Sequence, residues 1–275
     1  MSSQSSIASP SSTNRQRTKE EIYLFNSLDT NQNGLVSRKT IEQTIRLNGI
    51  DPCQSQLNET FALLDALPAD QQNHITLQQL AECIRPNISL FIRVNRGQLV
   101  IPDFHLFAKE IRQIYETCSK YTSGANADYI PELRDADPDR YGLSIFTVDG
   151  QQLHLGDCDE HFSAQSTCKT INYCLAVEQN GLSGVHAHVG REPSGRVFNE
   201  LTLNNDGLPH NPMINAGAIM TCSLVNLELP MDERFEQVRQ VWEHLAGESS
   251  VGFDAAVCRS EASTAHRNWA LAHYM

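Results

Sequence analysis

Residues 162–181, FSAQSTCKTINYCLAVEQNG, constrain this chain more than any other stretch. Apolar residues recur there at helical spacing from 167 to 179, and Asn180-Gly181 is a helix stop signal. A helix over 167–179 places Ser166 at its start, with Lys169 one turn on along the same side. An unaided serine hydroxyl is hardly ionised near neutrality, so a nucleophilic serine needs a base within hydrogen-bond reach. An amine serves if burial or a neighbouring cation lowers its pKa. Free N–H groups and the positive dipole end at a helix N-terminus also favour an oxyanion beside Ser166. A lone S-x-x-K arises often by chance, so the rest of the chain has to decide its meaning.

The chain has 275 residues, enough for one large domain or two ordinary ones, and 40% hydrophobic content suffices for a core. A net charge of -12 argues against nucleic acid or an anionic membrane surface as the main partner. No apolar run is long enough to cross a bilayer, so a soluble, intracellular chain is expected. The eight cysteines are scattered without a C-x-x-C pair, which points to reduced thiols.

Residues 1–19 are serine-rich, lack acidic side chains and carry Arg15, Arg17 and Lys19. Such a segment buries too little apolar surface to order itself, so a disordered tail is expected; a mitochondrial transit peptide shares the same bias. A helical domain is expected over 20–96. Within it Asp29, Asn31 and Asn33 at alternate positions, then Gly34 and Val36, follow the order of an EF-hand calcium loop. The twelfth position calls for a bidentate glutamate and is Thr40, so the loop is expected to keep the shape of a hand with at most weak calcium binding. A more eroded second hand is traced around Asp70, Asn73 and Ile75, with Ile75 expected to pair with Val36. No cofactor is expected.

A second domain is expected over 97–275, opening with an amphipathic helix from Phe104 to Lys120. Alternating apolar and polar residues at 143–148 and 151–156 flank Asp149-Gly150, which tolerates the positive φ of a type I′ turn and predicts a hairpin. A hairpin feeding a helix suggests a mixed sheet with helices packed on it.

Two later stretches are unusual. Residues 189–195, VGREPSG, form a glycine- and proline-punctuated loop in which Glu192 is expected to act as a structuring carboxylate. Residues 210–218, HNPMINAGA, lead into a small, apolar helix whose first turn carries Asn215. Its amide suits a substrate with both an ammonium and a carboxylate, and equally suits capping the helix. Cys168 points about 100° away from Lys169 around the helix and reads as inert filler. His186 and His188 lack a matched third metal ligand. A penicillin-binding reading fails because S-D-N and K-T-G are absent.

Taken together, Gln165-Ser166-x-x-Lys169, Glu192-Pro-Ser-Gly195, His210-Asn-Pro-x-x-Asn-Ala-Gly-Ala218 and Tyr129-Ile-Pro131 resemble the serine-dependent glutaminases, specifically the animal kidney-type and liver-type enzymes. The resemblance covers nearly the whole chain after the tail. It implies an α+β chain, with an EF-hand-like helical region before the first part of a β-lactamase-like three-layer α/β/α domain. It also implies hydrolysis of L-glutamine to L-glutamate and ammonia. Carried across position by position, Ser166 is the nucleophile and Lys169 the base. Asn215, Glu261 and Asn268 hold the α-amino and α-carboxylate groups, and Tyr129 lines the pocket. A homo-oligomer and a mitochondrial or cytoplasmic location are further expectations from the resemblance. Members of that family continue past the segment that ends this chain at Met275. The catalytic domain is therefore expected to be C-terminally incomplete, and the alternative function is a non-catalytic partner of a full-length homologue.

Overall fold

The computed structural model describes residues 18–247 and 251–275. The tail expected over 1–19 lies, up to residue 17, outside the described residues. Lys19 instead begins a helix, and Thr18 caps it. The chain divides into two compact units: one runs to Ser123 and takes in Asp139–Asp159, the other holds Gly124–Pro138 and Glu160–Met275. The division thus falls at 123/124 and not at the expected 96/97.

The first unit opens with α1 (Lys19–Leu28). Thr18 caps it reciprocally, its hydroxyl accepting from the Glu21 N–H and its own N–H donating to the Glu21 carboxylate at 2.8 Å. Ser37 caps α2 (Arg38–Leu47), and Thr76 with Gln79 caps α4 (Leu77–Cys83). Each such cap contributes about 1 kcal/mol. With α3 (Asn58–Asp65) and α5 (Ile88–Asn95), these helices enclose a core of Leu24, Ile41, Ile45, Leu64, Ile75, Leu80, Ile84 and Phe91. Val36 and Ile75 exchange backbone hydrogen bonds at 2.9 and 2.8 Å, the pairing expected of them. The Asp29 carboxylate accepts from the Asn33 and Gly34 N–H groups at 3.1 and 2.7 Å, which closes the loop on itself.

Asp103 caps α6 (Phe104–Cys118), which lies on the apolar face of the hairpin β1 (Gly142–Phe146) and β2 (Gln152–Gly156). Leu143 pairs with Leu155 and Ile145 with Leu153, so all four turn to the same side, towards Phe104 and Ile111. The turn differs from the expected type I′. Gly150 alone takes a positive φ, +87°, and its N–H bonds to the Thr147 carbonyl while the Thr147 N–H bonds to Gln151. This is a three-residue loop with glycine at the left-handed position, and Val148, expected in the strand, stands exposed at its tip.

Asp149 and Gln151 explain why this hairpin belongs to the first unit. The buried Asp149 carboxylate accepts from the Val100 N–H at 2.7 Å and from the Arg93 guanidinium at 2.9 Å. The fully buried Gln151 amide donates to the carbonyls of Asn48 and Ile101 at 3.1 and 2.9 Å and accepts from the Ile101 N–H at 3.1 Å. A polar turn becomes a satisfied part of the core.

The second unit holds α7 (Pro131–Arg134), α8 (Cys168–His186), α9 (Asn215–Ser223), α10 (Met231–Ala246), α11 (Ala255–Thr264) and α12 (His266–Tyr274). Leu175, Ala176, Val185 and Val225 centre its core, with Val238 and Val241 of α10 against them. No strand occurs among its described residues, and the two strands expected to lead into its sheet pack in the first unit. Among the described residues no helix is long and apolar enough to cross a membrane.

Asp149→Ala leaves the Val100 N–H and the Arg93 charge without their partner and is expected to cost about 2–4 kcal/mol in a urea melt. Asp65→Ala breaks a surface pair with Arg38 and is expected to stay within about 1 kcal/mol.

Candidate active site

Ser166 occupies the middle of a single 3-10 turn, Gln165–Thr167, and α8 begins at Cys168, one residue later than the expected 167. Gly181 interrupts α8 with φ 70° and ψ 162°, which is the stop anticipated from Asn180-Gly181, and the helix resumes beyond it to His186. Asn180 donates to the Ala176 carbonyl on its own helix and to the carbonyl of Leu224, the residue after α9, each at 3.0 Å. Gln165 is left-handed at φ 44°, an unusual conformation for a residue with a side chain, directly before the candidate nucleophile.

The loop before α9 is built by Asn211. Its side-chain oxygen accepts from the Met213 and Ile214 N–H groups at 3.0 and 3.3 Å, and its amide donates to the Glu192 carbonyl at 2.9 Å. The 189–195 loop is therefore tied through the main chain of Glu192, whose N–H also bonds to the His210 carbonyl, and not through its carboxylate as expected. Gly217 is needed where this loop passes α9, since a Cβ there would sit 1.8 Å from the Asn211 carbonyl oxygen.

Ser166, Lys169, Tyr129, Asn215, Glu261 and Asn268 all line one cavity of about 1090 Å³. Every site residue expected from the sequence is thus gathered in one place. The Lys169 amine donates to the Asn215 Oδ1 at 2.8 Å and to the Met213 carbonyl at 3.1 Å, and lies 5.7 Å from the centroid of the Phe198 ring. Burial lowers its pKa below the ordinary lysine value, with Cys168 pulling weakly the other way. Among the described residues the exposed Ser166 hydroxyl makes no hydrogen bond, so Ser166 and Lys169 share the cavity without bonding each other.

Asn215 does not cap its helix. Its backbone N–H bonds to the Phe198 carbonyl at 2.9 Å, and its amide joins Lys169 on one side to Asn268 Oδ1 on the other, at 3.0 Å. The Tyr129 hydroxyl lies 2.7 Å from Glu261 Oε1 and 2.8 Å from the Gln165 side-chain amide, which in turn reaches the Ser163 hydroxyl. The phenol has one proton to donate and two acceptors facing it, Glu261 Oε1 and Gln165 Oε1, of which the carboxylate is the stronger. Burial, then the bond to Glu261, pushes the phenol up to about 12, and it stays protonated across the neutral range.

Phe198, Asn199, Cys222 and Arg267 also line the cavity and were not anticipated. Loop placement gives Phe198 and Asn199 no periodic signal, whereas Arg267 adjoins Asn268 and was open to inspection. Burial, then Cys222, raises the Cys168 thiol pKa, in keeping with inert filler. Both ring nitrogens of His186 have protein partners, the Tyr173 hydroxyl at 2.8 Å and the Val189 carbonyl at 2.9 Å. Among the described residues no three His, Cys, Asp or Glu side chains gather as a metal site.

Comparison with known proteins bears directly on this cavity, because the Glutaminase family profile matches residues 124–275, which include every residue named in it. The chain belongs to the glutaminase family. It is 40% identical over 233 residues to the mitochondrial liver isoform of glutaminase from Rattus norvegicus, covering 84% of this chain and 39% of the relative. It is 40% identical over 166 residues to a glutaminase of Corynebacterium glutamicum, covering 60% of this chain and 40% of that one. A solved structure described as probable glutaminase ybaS superimposes with a TM-score of 0.57 at 34% identity, over 61% of this chain and 54% of its own. The chain spans 34% to 39% of the length of the animal relatives it matches.

Within this glutaminase-family unit, the close approach at Gly217 positions Asn215. Gly217→Ala drives a carbon into the Asn211 carbonyl and is expected to lower the thermal midpoint, at a cost of about 1–3 kcal/mol. Gly252→Ala, where nothing lies within 4 Å, is expected to change it little.

Proposed function

We propose that this chain carries the acyl-transfer site of a glutaminase, which hydrolyses L-glutamine to L-glutamate and ammonia. The observation that carries the reading is the convergence of a free serine hydroxyl, a lysine amine with lowered pKa and a carboxylate in one cavity. Ser166 attacks the side-chain amide carbon while its proton passes to neutral Lys169. Ammonia leaves with a proton returned from that amine, and water then releases the glutamyl ester. Glu261 meets the substrate ammonium, Asn215 and Asn268 address its α-groups, and Tyr129 holds Glu261 in place. Names of relatives support the substrate, and the mitochondrial name of the rat relative supports the same location here. A homo-oligomer and a β-lactamase-like catalytic fold belong to the same proposal.

The first unit is read as a pair of EF-hand-like helix–loop–helix elements that keep their shape without calcium. The self-closed Asp29 loop and the Val36–Ile75 bridge support this. At the twelfth position the Thr40 hydroxyl is engaged with Ser37 at 2.8 Å and supplies no carboxylate. Calorimetric titration with calcium is expected to show no binding up to about millimolar ion.

Ammonia release from L-glutamine tests the catalytic reading. Ser166→Ala is expected to fall to background and Lys169→Met to lose about 100-fold or more in kcat. The wild-type rate is expected to rise with pH through a midpoint below the ordinary lysine range, because the base is the unprotonated amine. Equal rates for wild type and Ser166→Ala would remove Ser166 from the mechanism.

A further inference from the structure

A neutral lysine amine has two N–H bonds and one lone pair, and only the lone pair can take a proton. Here two acceptors face the Lys169 amine, Asn215 Oδ1 at 2.8 Å and the Met213 carbonyl at 3.1 Å. When both N–H bonds are given to them, the lone pair is the part left over for the cavity. The Met213 carbonyl can only accept. An asparagine amide, however, has two ends of nearly equal shape, and its NH₂ end would repel the amine's own hydrogens. Asn268 Oδ1 accepts from Asn215 Nδ2 at 3.0 Å, which engages the NH₂ end of Asn215 and leaves its oxygen towards Lys169.

We infer that Asn268 and Asn215 act on Lys169 as positioning residues: Asn268 orients the Asn215 amide, and Asn215 with the Met213 carbonyl aims the amine's lone pair into the cavity. This deepens the glutaminase reading and rests on it. In the proton-transfer step the Ser166 O–H bond breaks and an N–H bond forms at Nζ, leaving an ammonium with three N–H bonds. Two of these are already satisfied by Asn215 and Met213, and the third is the proton later returned to the departing ammonia. The two asparagines are thus assigned work in the free protein, before any substrate arrives.

The geometry around the amine makes this measurable. The titratable and charged groups lining the same cavity are Cys168 beside Lys169 on α8, Cys222 on α9, Glu261 on α11, Arg267 on α12 and Tyr129. The chain has only five lysines, Lys19, Lys39, Lys109, Lys120 and Lys169, so their Cε resonances can be followed singly through a pH titration after lysine-selective ¹³C labelling. Lys169→Arg assigns the resonance. Asn268→Leu frees the Asn215 amide to turn its NH₂ end to the ammonium, and the Lys169 midpoint is expected to move to lower pH. Asn268→Asp keeps an acceptor for Asn215 Nδ2, and its midpoint is expected not to fall below wild type. Asn215→Asp sets a full charge against the amine, and its midpoint is expected to rise.

A folded Asn268→Leu protein, judged by near-ultraviolet circular dichroism, whose Lys169 titration coincides with wild type would overturn the proposal. Should Asn268→Leu fail to fold, Asn215→Asp carries the test, and an unchanged Lys169 midpoint there would overturn it equally. No substrate enters these titrations, so their failure is distinct from failure of the glutaminase reading, which the ammonia assay decides.

Discussion

One amine holds the second unit's cavity together. Lys169 projects from the first turn of α8 and donates to the backbone and side chain that open α9, so two helices far apart in sequence meet at a single nitrogen. The loop that delivers Asn215 is closed by Asn211 and passes α9 at Gly217, where only a hydrogen fits. Small residues follow on α9 for the same reason: Ala216 is buried and Gly217 meets backbone, so the helix can approach its own preceding loop. Asn-Pro-x-x-Asn-Ala-Gly-Ala is therefore one mechanical unit, in which the turn, the close approach and the functional amide depend on each other.

Electrostatics decide whether that amine can act as a base. The chain carries a net charge of -12, and a carboxylate about 4 Å away at a surface-like dielectric favours an ammonium by about 4 kcal/mol, enough to keep a lysine charged. Glu261 is the one acidic side chain among the described residues lining the cavity, and its oxygen is engaged with the Tyr129 phenol. With the carboxylate so placed, burial dominates at Lys169 and its pKa falls. The phenol moves up for the complementary reason, since it loses solvent and faces the carboxylate. One cavity thus holds an amine inclined to lose its proton and a phenol inclined to keep its own.

Much of this arrangement is legible in the sequence. Helix caps and stops are local, so the end of the first part of α8 at Gly181 and the start of α9 at Asn215 could be read from neighbouring residues. The six site residues, carried over by family resemblance, line one cavity together. What was not legible depends on groups far apart in sequence. The hairpin of 143–148 and 151–156 is expected within the second domain, feeding its helix, but its place is set by Asp149 and Gln151 reaching Val100, Ile101 and Asn48, contacts that no local pattern encodes. The turn type failed for a smaller reason. Asp149 tolerates positive φ in principle, yet its carboxylate is needed inward, and a three-residue loop with glycine alone left-handed satisfies both demands. Glu192 was read by its charge, whereas the loop uses its backbone.

Strain is concentrated next to the candidate nucleophile. Gln165 at φ 44° carries a side chain in the left-handed region, at a cost of about 1–2 kcal/mol that glycine would avoid. Glycine would also remove the amide that reaches Ser163 and Tyr129, and through Tyr129 the carboxylate of Glu261. Those hydrogen bonds, each contributing about 1 kcal/mol, are of the size needed to offset the backbone cost. The same conformation turns the chain sharply before α8, so Ser166 stands on an exposed 3-10 turn where its hydroxyl has no hydrogen-bond partner among the described residues. A residue bound on both sides by its amide while its backbone is strained therefore couples the nucleophile's placement to the carboxylate that meets the substrate, and a substitution relieving the strain would loosen both.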